Sequence, residues 1–418
     1  MRKNHQLVNT LLGLRGNQRA CVYTEPLWGI PFNLYAPYAT LYMYAMGVTD
    51  VQIGLIVSLG MAFQVLFALV SGIITDKLGR KKTTFIFDII AWSIPCLIWA
   101  VAQSFIYFAI AALINSMWRI TMNSWTCLLV EDSDHDSLVD IYSWIHISGL
   151  IAAFFAPLAG LFIAWNGLVP TIRFLYILTF IMMTAKFIIL NMYVTETKFG
   201  QVRKKEVENQ SFLLMLSQYG GVLKQILKTP KTLVTLGIML VMSICNTVNG
   251  AFWPLLITER IGVPQGLVAM FPFLRSIIML VLFFVLVPRI NTANFRRPMF
   301  IGFIVSIIGI LILISAPEKG YIFIIISTVF EACALALINP LMDSLVVITV
   351  DPKERARIMA ILYVIIIAII LPFGWIAGLL SEINRILPFL MNTALFTLGA
   401  ILTYISTAVT SSKAEISA

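Results

Sequence analysis

About twelve stretches of some twenty apolar residues follow one another along this chain of 418 residues, each long enough to carry a helix across the hydrocarbon core of a bilayer. Few folds survive that constraint. A backbone in lipid must satisfy its own N–H and C=O groups, which leaves helices or a closed barrel, and the stretches are twice too long for barrel strands. With 60% hydrophobic and 12% charged residues, the chain also lies outside the range of soluble globular domains. The expected fold class is an all-α polytopic membrane protein with 12 transmembrane helices. They are expected near 20 to 46, 51 to 75, 83 to 103, 105 to 130, 138 to 164, 170 to 194, 231 to 257, 264 to 288, 298 to 316, 320 to 347, 355 to 380 and 385 to 410.

Charge sets the orientation. The lead before the first span is polar and basic (Arg2, Lys3, Arg15, Arg19), and the span outruns the apolar core of a signal peptide, so the N-terminus is expected to stay in the cytoplasm. With twelve spans, nearly all remaining Lys and Arg outside the helices fall on the same side, leaving Arg173, Arg260, Lys319 and Arg385 opposite. Both termini are then cytoplasmic and the membrane is the plasma membrane. The net charge of +9 reads as topology, and no basic patch interleaved with aromatics points to nucleic acid. Cys21, Cys96, Cys127, Cys245 and Cys333 form no C-x-x-C pair, and three scattered histidines make no metal cluster, so neither a metal nor a cofactor is expected.

One long polar connection, 195–230, separates an N-terminal bundle (1–194) from a C-terminal bundle (231–418). Within it, 211–228 alternates apolar residues with Lys224 and Lys228 as an interfacial helix would, although Gly220-Gly221 weakens such a helix.

The second span closes on Gly72-Ile73-Ile74-Thr75-Asp76-Lys77-Leu78-Gly79-Arg80-Lys81-Lys82. A turn this short needs a residue free to bend the backbone, which Gly79 supplies, and the cationic cluster cannot cross the bilayer. The run matches G-x-x-x-D-[RK]-x-G-R-[RK]-[RK] and resembles the signature between the second and third helices of the major facilitator superfamily. That resemblance implies two pseudo-symmetric six-helix bundles, alternating access without ATP, and a monomer. It also implies a cytoplasmic gate in which Asp76 reaches the start of helix 11 while Arg80 joins an acid at the end of helix 4, here Glu131 or Asp132. The weak repeat between Ala156-Pro157-Leu158-Ala159-Gly160 and Leu371-Pro372-Phe373-Gly374 agrees with two related halves.

Charges inside a span need a partner or a pathway. Glu25, Arg119, Arg275 and Glu331 lie well inside spans, while Asp88, Lys186 and Asp343 lie nearer the ends, where side chains reach water. Asn115, Arg119 and Asn123 recur at spacing four on one helix face; Asn246, Asn249 and Trp253 share another; Glu331 pairs by periodicity with Asn339; and a proline-rich first span (Pro26, Pro31, Pro37) carries Asn33. These are spans 1, 4, 7 and 10, the helices that line the central cavity in the resembled superfamily. Paired ions and asparagines that glue helices would give the same pattern.

The expected function is secondary active transport of a small molecule, with protons coupled through Glu25, Glu331 and Arg119. Arg119 resembles the helix 4 arginine of drug:proton antiporters, and Gly149 with Ala156 to Leu161 approximates their glycine-rich helix 5 motif. The resemblance favours export of a lipophilic or amphipathic compound. Uptake of a sugar, peptide or organic acid, lipid flipping, and a non-transporting sensor stay open. His135 and Asp140 share the H-x-x-x-x-D spacing of acyltransferases but lack the acceptor motif, and hydrolase, metalloprotease and ATP-binding signatures are absent, so no enzyme is expected.

Overall fold

The computed structural model describes residues 11–132, 138–207, 230–285, 296–349 and 355–414, which are helical with no strand among them. Eleven of the described helices are long and apolar enough to cross a bilayer. The expected first span is instead a run of short pieces, Gly16–Thr24, Pro26–Tyr35, the 3₁₀ turn Ala36–Tyr38 and Ala39–Ala45. Proline is the cause. Pro26 has no N–H for the Val22 carbonyl, and the Glu25 N–H takes that acceptor at 3.3 Å, tightening the turn where Glu25 sits.

The fourth expected span is likewise divided, into Phe105–Asn115 and Trp118–Val130. The expected interfacial helix at 211–228 and the His135 loop lie outside the described residues. The polar connection begins with an ordered helix, Lys198–Val207.

The chain falls into two compact units, 1–48 with 59–218 and 49–58 with 219–418. In the first, fully buried Tyr38, Tyr42, Tyr176 and Phe108 form an aromatic core, and the Tyr42 hydroxyl donates to the Trp99 carbonyl at 3.0 Å. Hydroxyl pairs join its helices, Thr84 with Ser124 and Ser93 with Thr184, each at 2.7 Å. Such bonds matter here because lipid offers no hydrophobic drive between helices.

In the second unit, residues 50–58 lie against the helix Arg355–Ile383 through small residues. A Cβ on Gly54 would stand 2.3 Å from the Gly374 carbonyl oxygen, and one on Gly378 would stand 2.6 Å from that of Asp50. No larger residue fits. The Asp50 carboxylate accepts from Ser381 at 2.6 Å and pairs with Arg385. Both units leave large apolar side chains uncovered, among them Ile181, Ile188, Ile304 and Leu311, as spans facing lipid do.

Candidate functional site

Three polar places stand out against this apolar background. The first is a cavity of about 190 Å³ in the first unit, with walls from Trp28, Trp92, Trp118 and Trp125 and the charged groups Glu25, Asp88 and Lys186. Glu25 reaches it because the proline-broken first run places it at a joint between helices. Trp92 reaches it from a π-helical turn, Ile89–Ser93, that precedes Pro95. The Lys186 ammonium donates to Glu25 Oε2 at 2.8 Å and lies 5.9 Å from the Trp28 ring centre and 5.8 Å from that of Trp125. Lys186 is only 5% exposed and Asp88 7%. The Trp125 indole N–H is buried without an acceptor, which leaves a donor for a ligand.

The charges do not balance. Two carboxylates face one ammonium in a cavity walled largely by indoles, so the cavity is one positive charge short when all three groups are ionised.

The second place lies where the basic loops gather. Arg80, 3% exposed at its side chain, donates from Nη1 to Asp76 Oδ1 at 3.1 Å and from Nε and Nη2 to both oxygens of Glu131 at 3.1–3.2 Å. Thr197 donates to Glu131 Oε2 at 2.5 Å, and Arg203 reaches Asp76 Oδ2 at 3.1 Å. The Arg203 guanidinium is held above its ordinary pKa by the hydrogen bonds it donates, first to Glu206 and then to Asp76. Glu131, rather than Asp132, is the acid that meets Arg80; Asp132 accepts the Lys198 backbone N–H at 3.4 Å. The start of helix 11, expected to meet Asp76, includes side chains outside the described set.

Glu196 caps this cluster by accepting the N–H groups of Arg80 at 2.8 Å and Lys81 at 3.1 Å, the first donors of the helix Arg80–Asp88. Gly79 makes the approach possible, with φ of 90° and space for no Cβ, which would stand 2.6 Å from Glu196 Oε2. Gly79→Ala is expected to lower stability by about 2 kcal/mol through backbone strain and the displaced cap. Thermal unfolding should show a smaller loss for the same change in a Glu196→Ala background; equal losses would contradict the clash.

The third place, in the second unit, is a cavity of about 30 Å³ lined in part by Asn246, Asn249, Trp253 and Glu331. Arg275 donates to Glu331 at 2.9 Å. Fully buried Asn392 donates to Asn249 Oδ1 at 2.9 Å while its own Oδ1 has no partner. Space of this size suits a water or two. Asn339 is half-buried on the helix of Glu331 and does not line the cavity.

The expected residues separate accordingly. Asn115 donates at 2.8 Å to the Ala91 carbonyl, the acceptor that Pro95 would have served had it an N–H, so it repairs a neighbouring helix. Arg119 donates to Gln64 at 3.0 Å and lies 4.1 Å from the centre of the Trp118 ring. Asn123 donates to Thr75 at 3.4 Å and Asn33 to the Gly29 carbonyl at 2.8 Å. The expected stripe of Asn115, Arg119 and Asn123 is thus interrupted at Ser116-Met117: Arg119 and Asn123 both bond to the helix Asp50–Leu78, and Asn115 to the π-helical turn Ile89–Ser93. Gly72 lies within the helix Asp50–Leu78. By sequence position Asp88 and Lys186 stand near span ends, where side chains reach water, and Glu196, Thr197 and Arg203 fall in the polar connection. Their signal was the residue type alone, since a buried lysine has a partner whatever its depth.

The sequence profile of the Major Facilitator Superfamily matches residues 28–294. Among curated proteins, none matches this chain in sequence. Solved structures that resemble it include a mutant of the nucleoside transporter NupG, with a TM-score of 0.72 at 16% identity over 94% of this chain and 99% of that one. A POT family transporter in complex with 5-aminolevulinic acid resembles it with a TM-score of 0.71 at 12% identity over 94% and 95%. A bacterial homologue of the human lysosomal transporter Spinster does so with a TM-score of 0.66 at 13% identity over 94% and 96%. At such identities the likeness is one of fold, whereas the profile covers well over half of the chain. A multi-pass membrane transporter of this type, the chain belongs to the Major Facilitator Superfamily.

Proposed function

We propose that the chain is a proton-coupled secondary transporter working by alternating access, and that it exports a lipophilic or amphipathic small molecule across the plasma membrane. The observation that carries this reading is the charge shortfall in the tryptophan cavity. Glu25, Asp88 and Lys186 are one positive charge short, and either a proton or a cationic group on a ligand can supply it. Competition between the two for one site is the simplest form of antiport. Four indoles suit a planar or amphipathic body, and their faces attract a cation.

In this reading Glu25 and Asp88 exchange the proton and Lys186 holds the site when it is empty of ligand. Arg119, Glu331 and the asparagines around the second cavity line or support the pathway. Asp76, Arg80 and Glu131 close the cytoplasmic side, both termini lie in the cytoplasm, and the protein works as a monomer with the proton as coupling ion.

The test is ligand-induced thermal stabilisation of the purified protein by a panel of lipophilic cations, nucleosides, sugars and peptides at pH about 5.5 and about 7.5. A lipophilic cation is expected to stabilise more at the higher pH, with the response lost in the Glu25→Gln/Asp88→Asn double variant. Stabilisation by a polar nutrient that is stronger at the lower pH would replace export with symport. An unchanged response in the double variant would remove the cavity from the mechanism.

A further inference from the structure

Beside the Arg80 cluster opens a cavity of about 880 Å³ whose rim carries five lysines, Lys77, Lys81, Lys82, Lys204 and Lys205. They come from three segments. Lys77 ends the helix Asp50–Leu78, Lys81 and Lys82 begin the next, and Lys204 and Lys205 occupy the last turn of Lys198–Val207. Among the described residues none of the five ammonium groups is ion-paired. The acids nearby are already engaged, Glu196 by backbone N–H groups, Asp76 and Glu131 by Arg80, and Glu206 by Arg203.

Five ammonium groups share this opening with one carboxylate, Glu196, whose oxygens are taken by backbone N–H groups; the cations outnumber it and repel each other, and a multiply oxygenated anion would relieve that repulsion. The surroundings indicate where such an anion comes from. Leu78 and Phe85 give the cavity an apolar wall. Next to it, Phe199 and Val202, 58% and 56% exposed, stand one turn apart on a helix otherwise rich in Lys and Arg. Met192 and Tyr193 are still more exposed at the end of the adjoining span. Exposed aromatic and aliphatic side chains beside lysines, level with the end of a span, mark headgroup depth in a bilayer.

We propose that this cavity binds the headgroup of an anionic phospholipid, with its phosphate among the lysines and an acyl chain along Leu78 and Phe85. The lipid would bridge 77–82 to 204–205, the same segments that Asp76 and Arg203 join, and so brace the Arg80 cluster from outside. Basic pockets between spans on the side facing anionic lipid are recognised by this chemistry. The inference holds whichever direction transport runs.

The experiment uses the full chain in neutral detergent with added phosphatidylglycerol, phosphatidylcholine or inorganic phosphate. Phosphatidylglycerol is expected to raise Tm by about 5 °C relative to phosphatidylcholine, the scale for a ligand well above its Kd. The Lys81→Gln/Lys204→Gln/Lys205→Gln variant should lose most of that rise, while an Arg15→Gln/Arg19→Gln control keeps it. A photoactivatable phosphatidylglycerol should label peptides spanning 77–85 and 198–205 in the unaltered protein, which tests the site even where the triple variant folds poorly. Equal stabilisation by inorganic phosphate would replace the lipid with a soluble anion. An undiminished response in the triple variant, or labelling elsewhere, would overturn the proposal.

Discussion

Lys186→Met is expected to cost about 3 kcal/mol or more of stability and to abolish ligand response, because it leaves Glu25 facing indoles with no cation and Asp88 almost fully buried. Methionine preserves most of the volume, so the loss measures charge rather than packing. The decisive comparison is the cycle with Glu25→Gln. If the 2.8 Å pair is energetically coupled, Lys186→Met/Glu25→Gln should recover much of the Tm lost by Lys186→Met alone, since the unpaired carboxylate is gone. Strictly additive losses would show that the two groups meet without depending on each other.

The second large effect is expected at Arg80. Its side chain is buried and holds Asp76 with one arm and both oxygens of Glu131 with the others. Removing it by Arg80→Ala takes the cation from two carboxylates, of which Asp76 retains Arg203 while Glu131 keeps the Thr197 hydroxyl but no cation in its place. A loss of about 3 kcal/mol follows from a broken buried ion pair. Arg80→Lys should recover little, because one ammonium cannot reproduce a planar fork spanning two acids. Thermal unfolding checks the size of the loss, and hydrogen exchange checks its place, with Lys198–Val207 exchanging faster once Glu131 and Asp76 lose their shared partner. Native stability in Arg80→Lys would mean that charge alone holds the cluster.

These two sites differ in how far the chain announces them. The Asp76 and Arg80 cluster was legible because a short turn between spans concentrates charge, glycine and an acid within eleven residues. Its other half was not legible. Glu196, Thr197 and Arg203 lie more than a hundred positions away, in a stretch whose polarity reads as linker, and only folding brings them within hydrogen-bonding reach. The tryptophan cavity shows the reverse pattern. Glu25 was identifiable as a charge without a reason to be in a span, yet nothing in the sequence named its partner, and the structure gives it Lys186.

What the amino-acid sequence determined alone is the solvent and, through it, the fold class. Apolar stretches of bilayer length must become helices because lipid satisfies no backbone group. Where helices break is also local chemistry, since Pro26 and Pro95 remove donors wherever they stand. The tertiary structure alone decided which buried charges meet. Asparagines and ions along a helix present the same periodicity whether they line a cavity or repair a neighbour. Asn115 at the Ala91 carbonyl and Lys186 at Glu25 are told apart only by what stands across from them.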